Sequence, residues 1–148
     1  MSGIVAIADT SGLLGLFNRQ DKSHADCLRV RAAAAHLVIS PLVLAELDYL
    51  ITSRSGPDVA LAVLDHIMDA IDLRRYEVPE VSAHLRSARA VMSRYKSMNI
   101  GLADAMNVAL AAEFRTDAVF TLDREHFRAV RPLTAHPCFR LLPDDLDR

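Results

Sequence analysis

The sequence contains no tryptophan, few aromatic residues and no excess of positive charge. Aromatic residues make up 5% of the 148 residues, and the formal net charge is −2 with a pI near 6.3. Proteins that coat nucleic acid nonspecifically carry a large basic excess, and base-stacking surfaces need aromatic side chains. The composition therefore argues against both classes, although a local basic face remains compatible with it.

Cysteines and long apolar runs are also scarce. Cys27 and Cys138 do not fall in a metal-ligand spacing, and charges interrupt every apolar run before it reaches membrane-spanning length. No basic region precedes Ile4, so nothing resembles a targeting segment. We therefore expect a soluble protein of the reducing cytoplasm, without a membrane segment. The length and the 51% hydrophobic content predict one domain over residues 1–148, with an acidic, mobile tail at about 143–148.

Two short apolar runs, both rich in β-branched residues, each stop at an aspartate. Residues 4–8 precede Asp9, and residues 118–122 precede Asp123. Such runs are typical of buried strands in parallel sheets, and open α/β sheets bind their ligands at the carboxyl ends of these strands. We therefore expect the run before Asp9 to be a central strand, and both carboxylates to lie at one edge of the sheet.

The remaining segments alternate between helical and extended patterns, which predicts an α/β protein with a parallel sheet. The segment at 73–78 carries an arginine pair that indicates an edge strand. The predicted helices cover residues 10–18, 21–35, 41–53, 57–71, 79–97, 100–115 and a turn at 124–127, and the further strands cover 37–39, 73–78 and 139–142.

Two more acids lie on predicted helices among apolar neighbours. Glu46 has Leu42, Val43 and Leu50 three or four residues away, so it lies on an apolar stripe, although a glutamate at the rim of the core would have the same spacing. Asp104 stands in the first turn of its helix, where a carboxylate also simply stabilises the helix dipole. The neighbours of Asp104 are small or apolar, so we expect this acid to be buried.

The four acids define one hypothesis. If they lie within about 5 Å of one another, each pair repels by roughly 3 kcal/mol at an effective dielectric constant of 20. Protons or hard divalent cations must offset that repulsion. An all-oxygen set on which no histidine converges favours Mg²⁺ or Mn²⁺ over zinc, and such ions bind substrate phosphates. The pattern therefore indicates hydrolysis of phosphodiester bonds.

A cationic strip lies on the predicted helix at 79–97. Arg86, Arg89 and Lys96 cluster beside its apolar side. A solvated face explains the strip equally well, so phosphate contact becomes the better interpretation only if acids and metal lie nearby.

Four segments carry a resemblance to a known family. They are Ala8-Asp9-Thr10-Ser11, the run from Ser40 to Leu47, the run from Ile100 to Ala105, and the run from Thr121 to Phe127. In this order and at these spacings, the chain resembles PIN-domain ribonucleases, and most closely the VapC-type toxins of bacterial toxin–antitoxin pairs.

The resemblance implies a three-layer α/β/α sandwich, and it assigns Asp9, Glu46, Asp104 and Asp123 to Mg²⁺ or Mn²⁺ binding and cleavage of single-stranded RNA. It further implies that Thr10 and Thr121 orient carboxylates or water, and that Asn107 lies near the metal. A homodimer and a cognate VapB-like antitoxin that blocks the acidic pocket are implied as well. The helices from Pro41 to Ser53 and from Pro57 to Ile71 are our candidates for the antitoxin groove, although core packing produces much of the same pattern.

Alternative functions remain open. A non-catalytic PIN-like module that binds RNA or protein would keep the same pocket, and the acids alone do not distinguish RNA from DNA. A phosphatase of the haloacid dehalogenase type is disfavoured, because position 11 is serine where that chemistry needs a second aspartate. For His126 we expect a structural or surface role.

Overall fold

A computed structural model describes residues 3–147 and contains a five-stranded parallel sheet in the order β3-β2-β1-β4-β5. The strand that precedes Asp9 is central, and the strand predicted at 73–78 lies at an edge, as the sequence predicts, but it is confined to residues 76–77 because residues 73–75 form a turn. The strands are β1 (Ile4–Ala8), β2 (Ala34–Ile39), β3 (Tyr76–Glu77), β4 (Ala118–Phe120) and β5 (Arg140–Leu142).

In the part of the chain that the structure describes, seven α-helices connect and cover these strands. Within residues 3–147, none of the helices is long and apolar enough to cross a membrane. The helices are α1 (Thr10–Phe17), α2 (His24–Ala33), α3 (Pro41–Ser55), α4 (Pro57–Asp72), α5 (Leu85–Arg94), α6 (Leu102–Glu113) and α7 (Arg124–Ala129), with 3-10 turns at Ser82–His84 and Lys96–Met98.

The two faces of the sheet bury two separate apolar cores. Alternation along β1 sends Ala6 and Ala8 to one face and Ile7 to the other. The first face packs against α1 to α4, and the second packs against α5, α6 and α7. Both faces of the sheet are therefore covered, which confirms the predicted α/β/α sandwich and explains why its central strands are continuous apolar runs.

Two predicted helices are too long. The helix predicted at 21–35 ends at Ala33, because Ala34 already pairs with Ile4 in the sheet, and this pairing overrides the helix propensity of alanine. The helix predicted at 79–97 is confined to α5. A 3-10 turn precedes it, and after Arg94 the chain passes through a second such turn to Asn99, whose left-handed φ of 53° redirects it towards α6.

The acidic tail is attached to the body of the protein, contrary to the mobile tail that we expected. Asp145 is buried and accepts hydrogen bonds from both terminal nitrogens of Arg128, at 2.6 and 2.9 Å, and from the backbone N–H of Leu141 at 2.9 Å. Two further ion pairs hold the tail, Arg124 with Asp144 and Arg29 with Asp147. Position 148, and positions 1 and 2 of the predicted domain, lie outside the described residues.

Candidate active site

The carboxyl ends of β1 and β4 meet at the centre of one edge of the sheet. The backbone N–H of Asp9 donates to the carbonyl oxygen of Phe120 at 2.9 Å, which extends the strand pairing by one residue. Asp9 and Asp123 therefore leave neighbouring strands at the same edge, as the pattern of the two apolar runs predicts. Asp123 also begins α7, because its Oδ1 accepts the backbone N–H of Glu125 at 3.1 Å.

Two hydroxyl groups fix the carboxylate of Asp9. Its Oδ2 accepts hydrogen bonds from Thr121 Oγ1 at 2.8 Å and from Ser11 Oγ at 3.0 Å. Both hydroxyl oxygens also accept backbone N–H groups, Thr121 from Asp123 and Ser11 from Leu122, each at 2.9 Å. The loop after β4 and the carboxylate after β1 are thus held by one hydrogen-bonded network.

A glycine lets α1 approach this network closely. A Cβ atom at Gly12 would lie 2.6 Å from the carbonyl oxygen of Phe120, closer than Cβ atoms approach in folded proteins. Any side chain here would push the start of α1 away from β4 and disturb the position of Asp9.

Glu46 and Asp104 reach the same edge from helices. Ser40 caps α3 by accepting the backbone N–H of Leu42 at 3.1 Å, and Pro41 occupies the first helical position. Glu46 extends from this helix as an exposed side chain, whereas Asp104 in the first turn of α6 keeps 20% of its side chain exposed and is only partly buried. Together with Asp9 and Asp123, both acids line a cleft of about 300 Å³.

His126 is a residue of this site that our sequence interpretation missed. Its Nδ1 lies 2.9 Å from Asp104 Oδ2 and 3.5 Å from Asp123 Oδ2, on a side chain that is 25% exposed. The expectation that no histidine converges on the acids was therefore wrong. One signal existed in the sequence, because His126 follows Asp123 by three residues and the two share one face of a helical turn.

The site holds more negative charge than its surroundings readily solvate. Burial raises the pKa of the Asp9 carboxyl from 3.8 to about 6, and the charge of Asp104 adds to the increase, while the hydrogen bonds from Thr121 and Ser11 oppose it. Burial also raises the pKa of Asp104, against the hydrogen bond to His126. That same hydrogen bond raises the pKa of His126.

The side chains of Thr10 and Asn107, unlike that of Thr121, are not part of the hydrogen-bonded network around the Asp9 carboxylate. The Thr10 hydroxyl and both amide atoms of Asn107 are buried without a hydrogen-bond partner among the described residues. Ser11, and not Thr10, makes the hydroxyl contact to Asp9. Asn107 lies one helical turn after Asp104, and its amide is the kind of buried polar group that an ordered water or ligand satisfies.

The predicted cationic strip is exposed. Arg86 and Arg89 lie on α5 and Lys96 lies in the 3-10 turn that follows it, with no salt bridge from any of the three to another described residue.

The donor atoms at this edge fit a hard divalent cation. Carboxylate oxygens from Asp9, Glu46, Asp104 and Asp123 face one cleft, and ligand atoms of Asp104, Asp123 and His126 lie within 4.8 Å of one another. Burial is the larger cause of the raised pKa of Asp9, and the charge of Asp104 adds to it; a cation would neutralise the negative charge at this edge. Oxygen donors in such numbers suit Mg²⁺ or Mn²⁺.

Comparisons of the sequence with known proteins find relatives. A family model of the PIN domain matches residues 6–132. Ribonuclease VapC26 of Mycobacterium tuberculosis is 41% identical over 131 residues, which cover 86% of this chain and 93% of that protein.

Solved structures show the same fold. VapC20 of Mycobacterium tuberculosis, a sarcin-ricin loop cleaving toxin, superimposes with a TM-score of 0.68 at 25% identity, over 81% of this chain and 90% of that chain. VapBC2 from Rickettsia felis, bound to a DNA fragment from their promoter, gives a TM-score of 0.65 at 20% identity, over 93% of this chain and 98% of that chain. The extent of the family match and the identity to VapC26 show that the chain belongs to the PIN domain family, as a VapC-type member.

Proposed function

We propose that this protein is a Mg²⁺- or Mn²⁺-dependent endoribonuclease and the toxin of a toxin–antitoxin pair. The observation that carries the proposal is the cleft at the carboxyl edge of the sheet, lined by Asp9, Glu46, Asp104 and Asp123. The relationship to VapC26, which is named a ribonuclease, and to VapC20, which is named a toxin that cleaves the sarcin-ricin loop, supports RNA as the substrate.

The chain's own residues have separate tasks in this proposal. Asp9, Asp104 and Asp123 bind the ion, and Ser11 and Thr121 keep the Asp9 carboxylate in one orientation through their hydrogen bonds. Glu46, more exposed at the rim of the cleft, accepts a hydrogen bond from the attacking water and so orients it. A bound divalent ion supplies an activated water and stabilises the charge that develops on the phosphate and the leaving oxygen. No side chain needs to form a covalent bond with the substrate.

A cleavage assay tests the metal and the substrate together. We expect the protein to cut single-stranded RNA in Mg²⁺ or Mn²⁺, to stop in EDTA, and to leave DNA of the same sequence intact. The products are separated on a gel and their ends are mapped. Cleavage of the DNA would identify a DNA-directed nuclease, and binding of RNA without cleavage in either metal would identify a non-catalytic module.

The cationic strip of Arg86, Arg89 and Lys96 is proposed to contact RNA phosphates. The variant in which Arg86, Arg89 and Lys96 are all glutamine should bind RNA more weakly. The slope of log Kd against the logarithm of the salt concentration should be smaller than in the wild type, by up to roughly two to three. Fluorescence anisotropy at several salt concentrations measures the slope.

A matched control removes three exposed arginines near the amino ends of the strands, through Arg31→Gln, Arg74→Gln and Arg75→Gln. This control changes the net charge equally. If log Kd depends on salt concentration equally in both triple variants, the cationic strip is only a solvated face.

The antitoxin is proposed to dock in the apolar groove between α3 and α4. The groove has a volume of about 290 Å³, and its walls include Leu44, Ile51, Val63 and Leu64. Leu64, which is 37% exposed, leaves apolar surface of this groove open to solvent. An amphipathic segment of an antitoxin would cover this surface. The homodimer implied by the family resemblance stays a prediction.

Substitution of Leu64 by Lys should weaken binding of the antitoxin encoded beside this gene by at least about tenfold, since it places a charge in the groove. RNA cleavage should be retained, because Leu64 does not line the acidic cleft. The control is Leu61→Lys, on the same helix and 58% exposed but outside the groove. Equal loss of affinity in both variants, measured by calorimetry, would argue against the groove as the docking site.

A further inference from the structure

His126 faces two carboxylates through a single nitrogen atom. Its Nδ1 is 2.9 Å from Asp104 Oδ2 and 3.5 Å from Asp123 Oδ2. The other oxygen of Asp123 is engaged in capping α7, so Oδ2 is the atom that it directs towards the histidine. The three side chains therefore bring one nitrogen and two oxygens within 4.8 Å of one another.

These separations match neighbouring ligands of an octahedral ion. Metal–ligand distances near 2.1 Å place adjacent donors roughly 3 Å apart, and the observed separations of 2.9 and 3.5 Å lie close to that value. A hydrogen bond from Nδ1 explains the 2.9 Å contact with Asp104, whereas a shared cation also explains why Oδ2 of Asp123 lies 3.5 Å from the same nitrogen.

We propose that His126 is a nitrogen ligand of the divalent ion, and that it makes the site prefer Mn²⁺ to Mg²⁺. Mg²⁺ binds oxygen donors and retains its waters, whereas affinity for nitrogen donors rises from Mn²⁺ along the transition series. This inference rests on the proposed metal-dependent function and deepens it, because it names a ligand of another chemical type and the metal selectivity that follows.

The competing explanation is that His126 only donates a hydrogen bond that orients Asp104. The substitution His126→Asn separates the two roles. The asparagine amide nitrogen can occupy the position of Nδ1 and can still donate to Asp104, but an amide nitrogen does not coordinate metal ions under these conditions. A positioning role would therefore survive this substitution, whereas nitrogen ligation of the ion would be lost, whichever amide atom faces it.

The test uses Mn²⁺ as the probe with the full-length protein and no RNA. Pulsed electron paramagnetic resonance should detect ¹⁴N coupling to bound Mn²⁺ in the wild-type protein and none in His126→Asn. Titration should show Mn²⁺ affinity falling by about tenfold or more in the variant, with Mg²⁺ affinity, measured by competition, changing by less than about threefold. His84→Asn, at a half-buried histidine that is not part of the acidic cluster, is the control and should match the wild type.

Two results would overturn the inference, and they are distinguishable. If wild-type protein binds Mn²⁺ without ¹⁴N coupling, His126 is not a ligand, while the proposed metal-dependent nuclease stands. If wild-type protein binds neither ion, the proposed function fails together with the inference. The wild-type spectrum alone decides the first point, so the test does not depend on the folding of the variant.

Discussion

We expect Asp104→Asn to reduce RNA cleavage in Mg²⁺ by at least about a thousandfold. The charge of Asp104 adds to the raised pKa of Asp9, and the charges of Asp123 and Glu46 add to the raised pKa of Asp104, so Asp104 interacts electrostatically with each of the other three acids. Loss of this carboxylate removes a ligand and weakens the binding of the ion on which the chemistry depends, an effect of several kcal/mol on the transition state.

The cleavage rate is measured under single-turnover conditions, with Asp48→Asn as the control. Asp48 is an exposed acid of α3 and does not line the acidic cleft, so its substitution makes the same change in charge without touching the site. Wild-type rates are expected for this control. Wild-type rates for Asp104→Asn would remove Asp104 from the mechanism.

The second large effect concerns stability in the absence of metal. The pKa of Asp9 is about 6 in the folded protein and 3.8 for the ordinary carboxyl, so the folded state holds this proton more tightly than the unfolded state does. The contribution of Asp9 to the stability of the folded protein is therefore most favourable below about pH 4, and it is lost as the pH rises through 6. The difference between the two pKa values corresponds to about 3 kcal/mol in the free energy of unfolding.

Asp9→Asn should consequently be more stable than the wild type in EDTA at pH 8, by about 2 to 3 kcal/mol, with the difference shrinking towards zero near pH 4. The asparagine oxygen can still accept hydrogen bonds from Thr121 and Ser11, so the change mainly removes charge. Urea unfolding at several pH values measures the effect, and Asp65→Asn on the exposed side of α4 is the control. A difference that does not vary with pH would contradict the electrostatic explanation.

The sequence was sufficient for the features that depend on short patterns. The apolar runs before Asp9 and Asp123 predicted two parallel strands, because a buried strand needs apolar residues on both of its faces. The combination Ser40-Pro41 predicted the start of α3, since cap and proline act within one helical turn. These features lead directly to the carboxyl edge of the sheet and to the cleft.

Features that depend on tertiary contacts were not accessible in this way. The contact between His126 and Asp104 joins residues 22 apart, and it exists because Asp123 caps α7 and so fixes the direction of that helix. Ala34 enters the sheet only because Ile4 offers a pairing partner. The charge of the tail led us to expect that it is mobile, but Asp145 forms a hydrogen-bonded ion pair with Arg128 on α7.

Binding of a divalent ion among these carboxylates is the central claim, and calorimetric titration of Mn²⁺ into the metal-free protein tests it most directly. We predict saturable binding by the wild type, and affinity reduced by at least about a hundredfold in Asp104→Asn. Equal binding by both proteins, or no binding by the wild type, would contradict the claim.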